Sequence, residues 1–370
     1  MKLKIVLAKK AGIAAVVSLV LLGAGTVVLA AGEALLLRRA VEVALRDNPA
    51  ALLAAVRAER SRTGAEQLRQ RVDGAVYRLI TNSLQPGDLS LVYIAPTQAE
   101  QMERLAPLRE RADRDLLVLE TQRNYLELHR AMDRLKLAGQ ALARAREQQR
   151  LAEVAFQAGT VARSDILAAQ VHVAAAEARV FAAESGVQAA RAALNKSLGR
   201  PLSAAVDLPE KFSVPERRPL DLQRGLAGAD VERLDVIAAR ESLLLREREL
   251  AHARHIFLDS ASRRDADLAV EEARLQLQAT VEAVRLEVFQ LYHRLSGVEK
   301  QLAALEQGVR SAAEAHRLAV LRYQAGVGTQ IDVTAARDAL DEREQELLHA
   351  RYEGYLGDLS WRLATGQPLE

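Results

Sequence analysis

The sequence predicts an all-α protein: long antiparallel helical hairpins in two tandem repeats. Three observations lead there. Phe156-Gln157-Ala158-Gly159 followed by Asp165-Ile166-Leu167-Ala168-Ala169 returns 167 residues later as Tyr323-Gln324-Ala325-Gly326 followed by Asp332-Val333-Thr334-Ala335-Ala336. A period this long is one structural unit duplicated, not a solenoid of short repeats. After the first glycine, Ile166, Val173, Val180, Val187 and Leu194 recur every seven residues, with Ala169, Ala176, Ala183 and Ala190 three positions on. This is a two-stripe coiled-coil seam. Finally, only 4% of the 370 residues are aromatic, and Ala, Leu, Arg and Glu dominate, a composition of long helices.

The elements follow in chain order. Lys2, Lys4, Lys9 and Lys10 precede an apolar run from Ala11 to Ala31, and Val28-Leu29-Ala30 has the small-residue spacing of a signal-peptidase site. Residues 1–30 therefore read as a signal peptide or, uncleaved, as an N-terminal anchor. Their removal turns 51 basic against 49 acidic residues into 47 against 49, which withdraws the electrostatic support for nucleic-acid binding.

Residues 31–198 form the first repeat: a shorter helix over about 34–70, a connector, a long helix to the glycine turn and a returning helix. The capping-box spacing of Thr97-Gln98-Ala99-Glu100 after Pro96 predicts the start of the long helix at Thr97, with Pro107 kinking or restarting it. Residues 199–228 are a linker, since four of the nine prolines (Pro201, Pro209, Pro215, Pro219) fall there and the helical period lapses. The second repeat, 229–370, has a shorter helix over about 229–258 and a proline-free long helix from about Asp265 to Ala325. Fifty to sixty helical residues make a rod of roughly 75 to 90 Å. Its returning helix carries Val333, Leu340, Leu347, Gly354 and Trp361, with Ala336, Arg343, Ala350, Gly357 and Ala364 in the companion register. Small residues in one register let helix backbones approach closely.

Enzyme readings lack a motif. Without cysteine there is no thiolate nucleophile, thiolate metal site or disulfide. No glycine-rich phosphate loop follows a strand, and no Ser-His-Asp pattern has supporting context. His252, His255 and Asp259 have metal-ligand spacing on one helix face, but without a second cluster an exposed polar face is the simpler reading. No metal or other cofactor is expected. Trp361 sits in the heptad seam and reads as packing.

The doubled pattern resembles the TolC-type outer-membrane efflux proteins. That family carries two tandem repeats, each with an aromatic residue, a small-Gly turn, an Asp about six residues on, and an Ala-rich helix ending in a Leu-Gly-x-Pro-like element. Phe156 to Ala169 with Leu198-Gly199-Arg200-Pro201, and Tyr323 to Ala336 with Thr365-Gly366-Gln367-Pro368, match it, and Asn48-Pro49 is similar to the family's amino-terminal signature.

The resemblance implies a homotrimer whose helices form an α-helical (coiled-coil) barrel through the periplasm. It would serve as the exit duct of a tripartite efflux or type I secretion system, passing substrates across the periplasm and outer membrane. The turns around Gly159, Asp165, Gly326, Gly328 and Asp332 would meet a periplasmic adaptor protein, itself linked to an inner-membrane pump. Asp332 matches the aperture acid, and the further acid of some members is Ala335 here. A ring of aspartates at a constriction favours cations and can gate by repulsion. Read from the residues alone, Asp165 and Asp332 equally suit helix N-termini.

The family's connectors carry strands of a membrane-spanning β-barrel. Here Val76, Tyr77, Leu79, Ile80, a Pro86-Gly87-Asp88 turn and Leu89, Leu91, Val92, Ile94 allow a short β-hairpin at most, and His255 to Ala266 is too charged to span a bilayer. A barrel-less coiled-coil envelope scaffold or an adaptor-like interaction protein is the alternative.

Overall fold

The computed structural model describes residues 35–159, 162–209, 219–255, 260–325, 327–328 and 330–369, without the side chains of 165, 255, 330, 331 and 334. The apolar leader at 1–30 lies outside them. Among the described residues the regular structure is helical throughout: α1 (Leu37–Asp47), α2 (Pro49–Ile80), α3 (Asp88–Gln157), α4 (Arg163–Ser197), α5 (Leu222–Glu232), α6 (Leu234–His255), α7 (Ser260–Gln324) and α8 (Gln330–Ala364). The first four helices and the last four are two versions of one unit. The short helices have 11 residues in both versions and the returning helices 35, while the long helices have 70 and 65. At 1.5 Å per residue the long helices reach roughly 100 Å, longer than the fifty to sixty residues expected from the sequence.

The expected start at Thr97 is a correction. Helix α3 begins at Asp88 and runs through both Pro96 and Pro107. Each proline removes one helical hydrogen bond, so packing must hold the helix together there. Helix α2 supplies it, burying Ala51, Ala58 and Ala65 at heptad spacing, and Ser61 Oγ donates to the Met102 carbonyl at 3.2 Å. Residues 76–80 and 88–94, which the sequence allows as a short hairpin, are the end of α2 and the start of α3. Arg78 and Asp88 close that turn with bonds of 2.9 and 2.6 Å, and the guanidinium holds the Asp88 carboxyl down to about 2.

The returning helices end identically. Arg200 N donates to Asn195 O at 2.9 Å and Gln367 N to Arg362 O at 2.8 Å, each closing a Schellman turn whose glycine has positive φ, +69° at Gly199 and +77° at Gly366. Both glycines touch the joint between a short helix and its successor. A Cβ on Gly199 would lie 2.6 Å from the Asp47 carbonyl oxygen, and one on Gly366 would lie 2.5 Å from Glu232 Cβ. At the first joint, Asn48 accepts from Ala50 N at 2.7 Å and donates to the Ser197 carbonyl at 2.8 Å, so one side chain caps α2 and fastens the end of α4.

The apolar cores gather at these joints. Tyr125, Leu126, Leu128, Leu194, Leu198 and Tyr352 are buried with α1, and Ala229, Val236, Val288, Leu295, Trp361 and Ala364 form the second cluster. Trp361 fills the space left by Gly225, as expected for a packing residue. Along the seams, Val187, Leu194, Leu340, Leu347, Gly354 and Trp361 are buried, with Ala176 and Ala190 beside them. Helix α3 packs against α4 and α8, and α8 packs in turn against α7, which gives an open row in the order α4, α3, α8, α7.

Candidate docking turns and aperture

The two glycine turns lie at one end of the row. Near the C-terminus of α3, Arg144 pairs with Asp338 near the start of α8 at 3.0 Å, and Arg146 pairs with Glu177 of α4 at 2.8 Å. Farther along, Arg130–Glu353 at 2.7 Å keeps α3 and α8 antiparallel and in register.

In the first turn, Ala158 N donates to Val154 O and Gly159 N to Phe156 O, and Gly159 has a φ of +75° that most side chains resist. In the second turn the described bonds converge on one carbonyl. Val327 N and Gly328 N both donate to the Arg322 carbonyl, at 3.0 and 3.1 Å, and a Cβ on Gly328 would sit 3.1 Å from Arg322 Cβ. Gly326 lies outside the described residues. Asp165 and Asp332 are each the third residue of the returning helix, where the helix dipole favours a carboxylate. Asp332 is exposed, while the Asp165 side chain lies outside the described residues.

Around the glycines, sequence reasoning missed a duplicated surface. Leu151, Val154 and Phe156 are 50%, 52% and 42% exposed, and their counterparts Leu318, Leu321 and Tyr323 are 39%, 46% and 48% exposed. An apolar triplet left in water at the same place in both copies marks a contact surface rather than a core. One turn farther from the tip, Glu147 bonds Arg150 and Glu314 bonds Arg317, the same pair 167 residues apart. These hydrogen bonds hold both carboxyls below the usual glutamate range. The signal was available: all five positions obey the repeat offset, but exposure cannot be told from burial in a heptad.

The metal reading of the histidine pair is not supported at His252. Its ring is buried, with Nε2 3.1 Å from Ser90 Oγ and the ring stacked on Tyr93 at 5.3 Å. The His255 side chain and Asp259 lie outside the described residues. Among the described residues no group of three or more His, Cys, Asp or Glu side chains could hold a metal ion. A cleft of about 750 Å³ lies between α3 and the second repeat, far from the turns. Its Arg233 is already engaged by Asp235 and Glu287, so it reads as a seam between the halves.

The outer membrane efflux protein model matches residues 94–200 and 255–356, the two long hairpins with both glycine turns. The chain belongs to the outer membrane efflux protein family. Solved structures of outer membrane proteins and channels share the fold. VceC of Vibrio cholerae is 18% identical with a TM-score of 0.66, covering 90% of this chain and 97% of its own. The Campylobacter jejuni CmeC outer membrane channel is 15% identical with a TM-score of 0.65, covering 90% and 86%. The open state of the Neisseria gonorrhoeae MtrE outer membrane channel is 18% identical with a TM-score of 0.66, covering 90% and 89%. No curated protein sequence matches the chain. As an outer membrane efflux protein, it bears out both the doubled turn motif and the all-helical architecture read from the sequence.

Proposed function

We propose that this efflux protein is the non-enzymatic exit duct of a tripartite efflux or secretion assembly, three copies closing into a helical tube across the periplasm to the outer membrane. The observation that carries the reading is the open row of helices with an apolar stripe on each edge. On α4, Leu167, Val171 and Phe181 are 55%, 67% and 71% exposed, and on α7, Leu268, Leu275 and Phe289 are 63%, 56% and 46% exposed. Within α4, Ile166–Ser197 is apolar enough by length and composition to cross a membrane. In the duct reading it instead covers the α7 edge of the next copy, since 167, 174 and 181 follow a heptad as 268, 275 and 289 do.

At the tip, the turns holding Gly159, Asp165, Gly326, Gly328 and Asp332 would receive the helices of a periplasmic adaptor, with Leu151, Val154, Phe156 and their repeat partners as the apolar contact. The adaptor in turn would join the tube to an inner-membrane pump. Asp332, brought together from three copies, would form the aperture ring. Single-channel conductance tests this reading. Asp332→Asn should weaken cation preference severalfold and lower the cation current near neutral pH, because the negative potential of three carboxylates at the constriction is removed. A coiled-coil scaffold that conducts nothing would leave Asp332→Asn silent, and detergent-extracted particles that are only monomers or dimers would overturn the duct.

A further inference from the structure

We propose that the turn between α2 and α3 inserts into one leaflet of a lipid bilayer and so anchors the end of the rod opposite the glycine turns. The inference goes beyond the duct reading and stands without it. It begins with charge. From Gly74 to Ala99 the only charged residues are Arg78 and Asp88, in a chain that is 27% charged. Those two cancel through a bidentate pair, and Asp88, 4% exposed, also accepts from Gln85 N at 2.8 Å. The end of the hairpin thus offers no unbalanced charge to a low-dielectric medium.

What it offers instead is apolar and aromatic. Tyr77 and Ile80 are 68% and 78% exposed, with Leu79, Leu84, Leu89 and Tyr93 also exposed around them. Tyrosine rings with leucine and isoleucine beyond them are the side chains that partition into the headgroup and acyl boundary. The turn also satisfies much of its backbone. Thr81, Asn82 and Ser83 donate to the carbonyls of Tyr77, Leu79 and Arg78, Asp88 N donates to Gln85 O, and Pro86 has no N–H to satisfy. Such a turn leaves water at lower cost than an open loop.

Shape and depth select a lipid leaflet over a protein. The apolar residues sit on both flanks of a convex tip, so one flat protein surface covers a single flank whereas a fluid leaflet encloses all of it. Insertion is shallow, because the exposed Asp73 and Arg71 of α2 lie roughly 8 and 10 Å behind the Arg78–Asp88 pair, so the turn reaches the headgroup and acyl boundary and stops well short of a span. Insertion is limited by the neighbouring hairpin. Contact between His252 and Ser90 sets the end of α6 beside the start of α3, and Arg254 pairs with Asp267 of α7 at 2.9 Å. The exposed Arg263 and Arg264 at the start of α7 then meet the phosphate layer while the α2–α3 turn passes below it.

The chain has no cysteine, so single labels are straightforward. An environment-sensitive fluorophore on Leu84→Cys, and separately on Ser83→Cys, is compared in the full chain with one on Gln157→Cys at the glycine-turn end. The vesicles are phosphatidylcholine with or without nitroxide-labelled lipid. Both turn labels should shift to the blue and be quenched, the Gln157 label should not, and Ile80→Asp should abolish the shift at Leu84 while leaving far-UV helicity unchanged. Residues 1–30 are common to every variant, so their own membrane affinity does not separate the labels. Turn labels that stay in water, a blue shift already present before lipid is added, or equal quenching at Gln157 would overturn the proposal, whatever the oligomer.

Discussion

Asn48 holds together residues nearly 150 positions apart. Its amide oxygen accepts from Ala50 N at 2.7 Å and its amide nitrogen donates to the carbonyls of Lys196 and Ser197 at 3.2 and 2.8 Å. Asn48→Ala removes a helix cap and strands a buried carbonyl. It should cost about 1–3 kcal/mol and lower the thermal midpoint in circular dichroism, whereas Asn48→Asp should keep the cap but lose the α4 bonds. Asp88 works at the other end of α2. Its folded pKa is depressed to about 2, so its contribution is complete above the unfolded value and lost as pH falls through the folded one. The α2–α3 turn should therefore loosen between about pH 4 and pH 2, seen as faster amide exchange there, and Arg78→Gln should weaken that dependence, leaving the part that the Gln85 N–H bond sustains.

Helix by helix, the returning elements were the most legible, because a heptad seam needs only local spacing. Gly357 shows what that spacing leaves hidden. A Cβ there would lie 2.2 Å from Leu295 Cδ2, so the glycine exists to admit a leucine from α7. Gly357→Ala should destabilise by about 1–3 kcal/mol despite its better helix propensity, and Leu295→Ala should relieve part of the clash in the double variant, as thermal unfolding of the four proteins would reveal. The sequence placed Gly357 in the companion register but not the leucine that uses it. The start of α3 was illegible for a similar reason. Pro96, Pro107 and the capping box at Thr97 are strong local stop and start signals, yet α2, through its buried alanines and the Ser61 bond to Met102, sustains the helix across them. Tertiary support overrode a propensity rule that has no term for a neighbour. At the turns, Gly159 was legible because positive φ demands glycine. The exposed triplets were not, since Leu151 or Leu318 fits a buried seam equally well on paper.

At the scale of the whole molecule, an open row of helices with two apolar edges is unfinished as a monomer. Each edge is only as apolar as its exposed stripe, and burying one phenylalanine contributes about 1.5–3 kcal/mol, so a ring repeats that gain at every contact between copies. Phe181→Asp on α4 should split the assembly, measured by native mass spectrometry in detergent, while helicity is retained because Phe181 is 71% exposed within the chain. Leu275→Asp on α7 should do the same from the opposite edge, and the double variant should be little worse than either, since both break one contact. Met132→Asp is the control: it is 40% exposed but lies on α3, between α4 and α8, and should leave the assembly intact. An assembly that survives both edge variants would mean the copies meet elsewhere, and the two stripes would then need a different occupant. Loss at Phe181 and Leu275 but not at Met132 requires that the wall close edge to edge, the arrangement in which a lumen follows from the row itself.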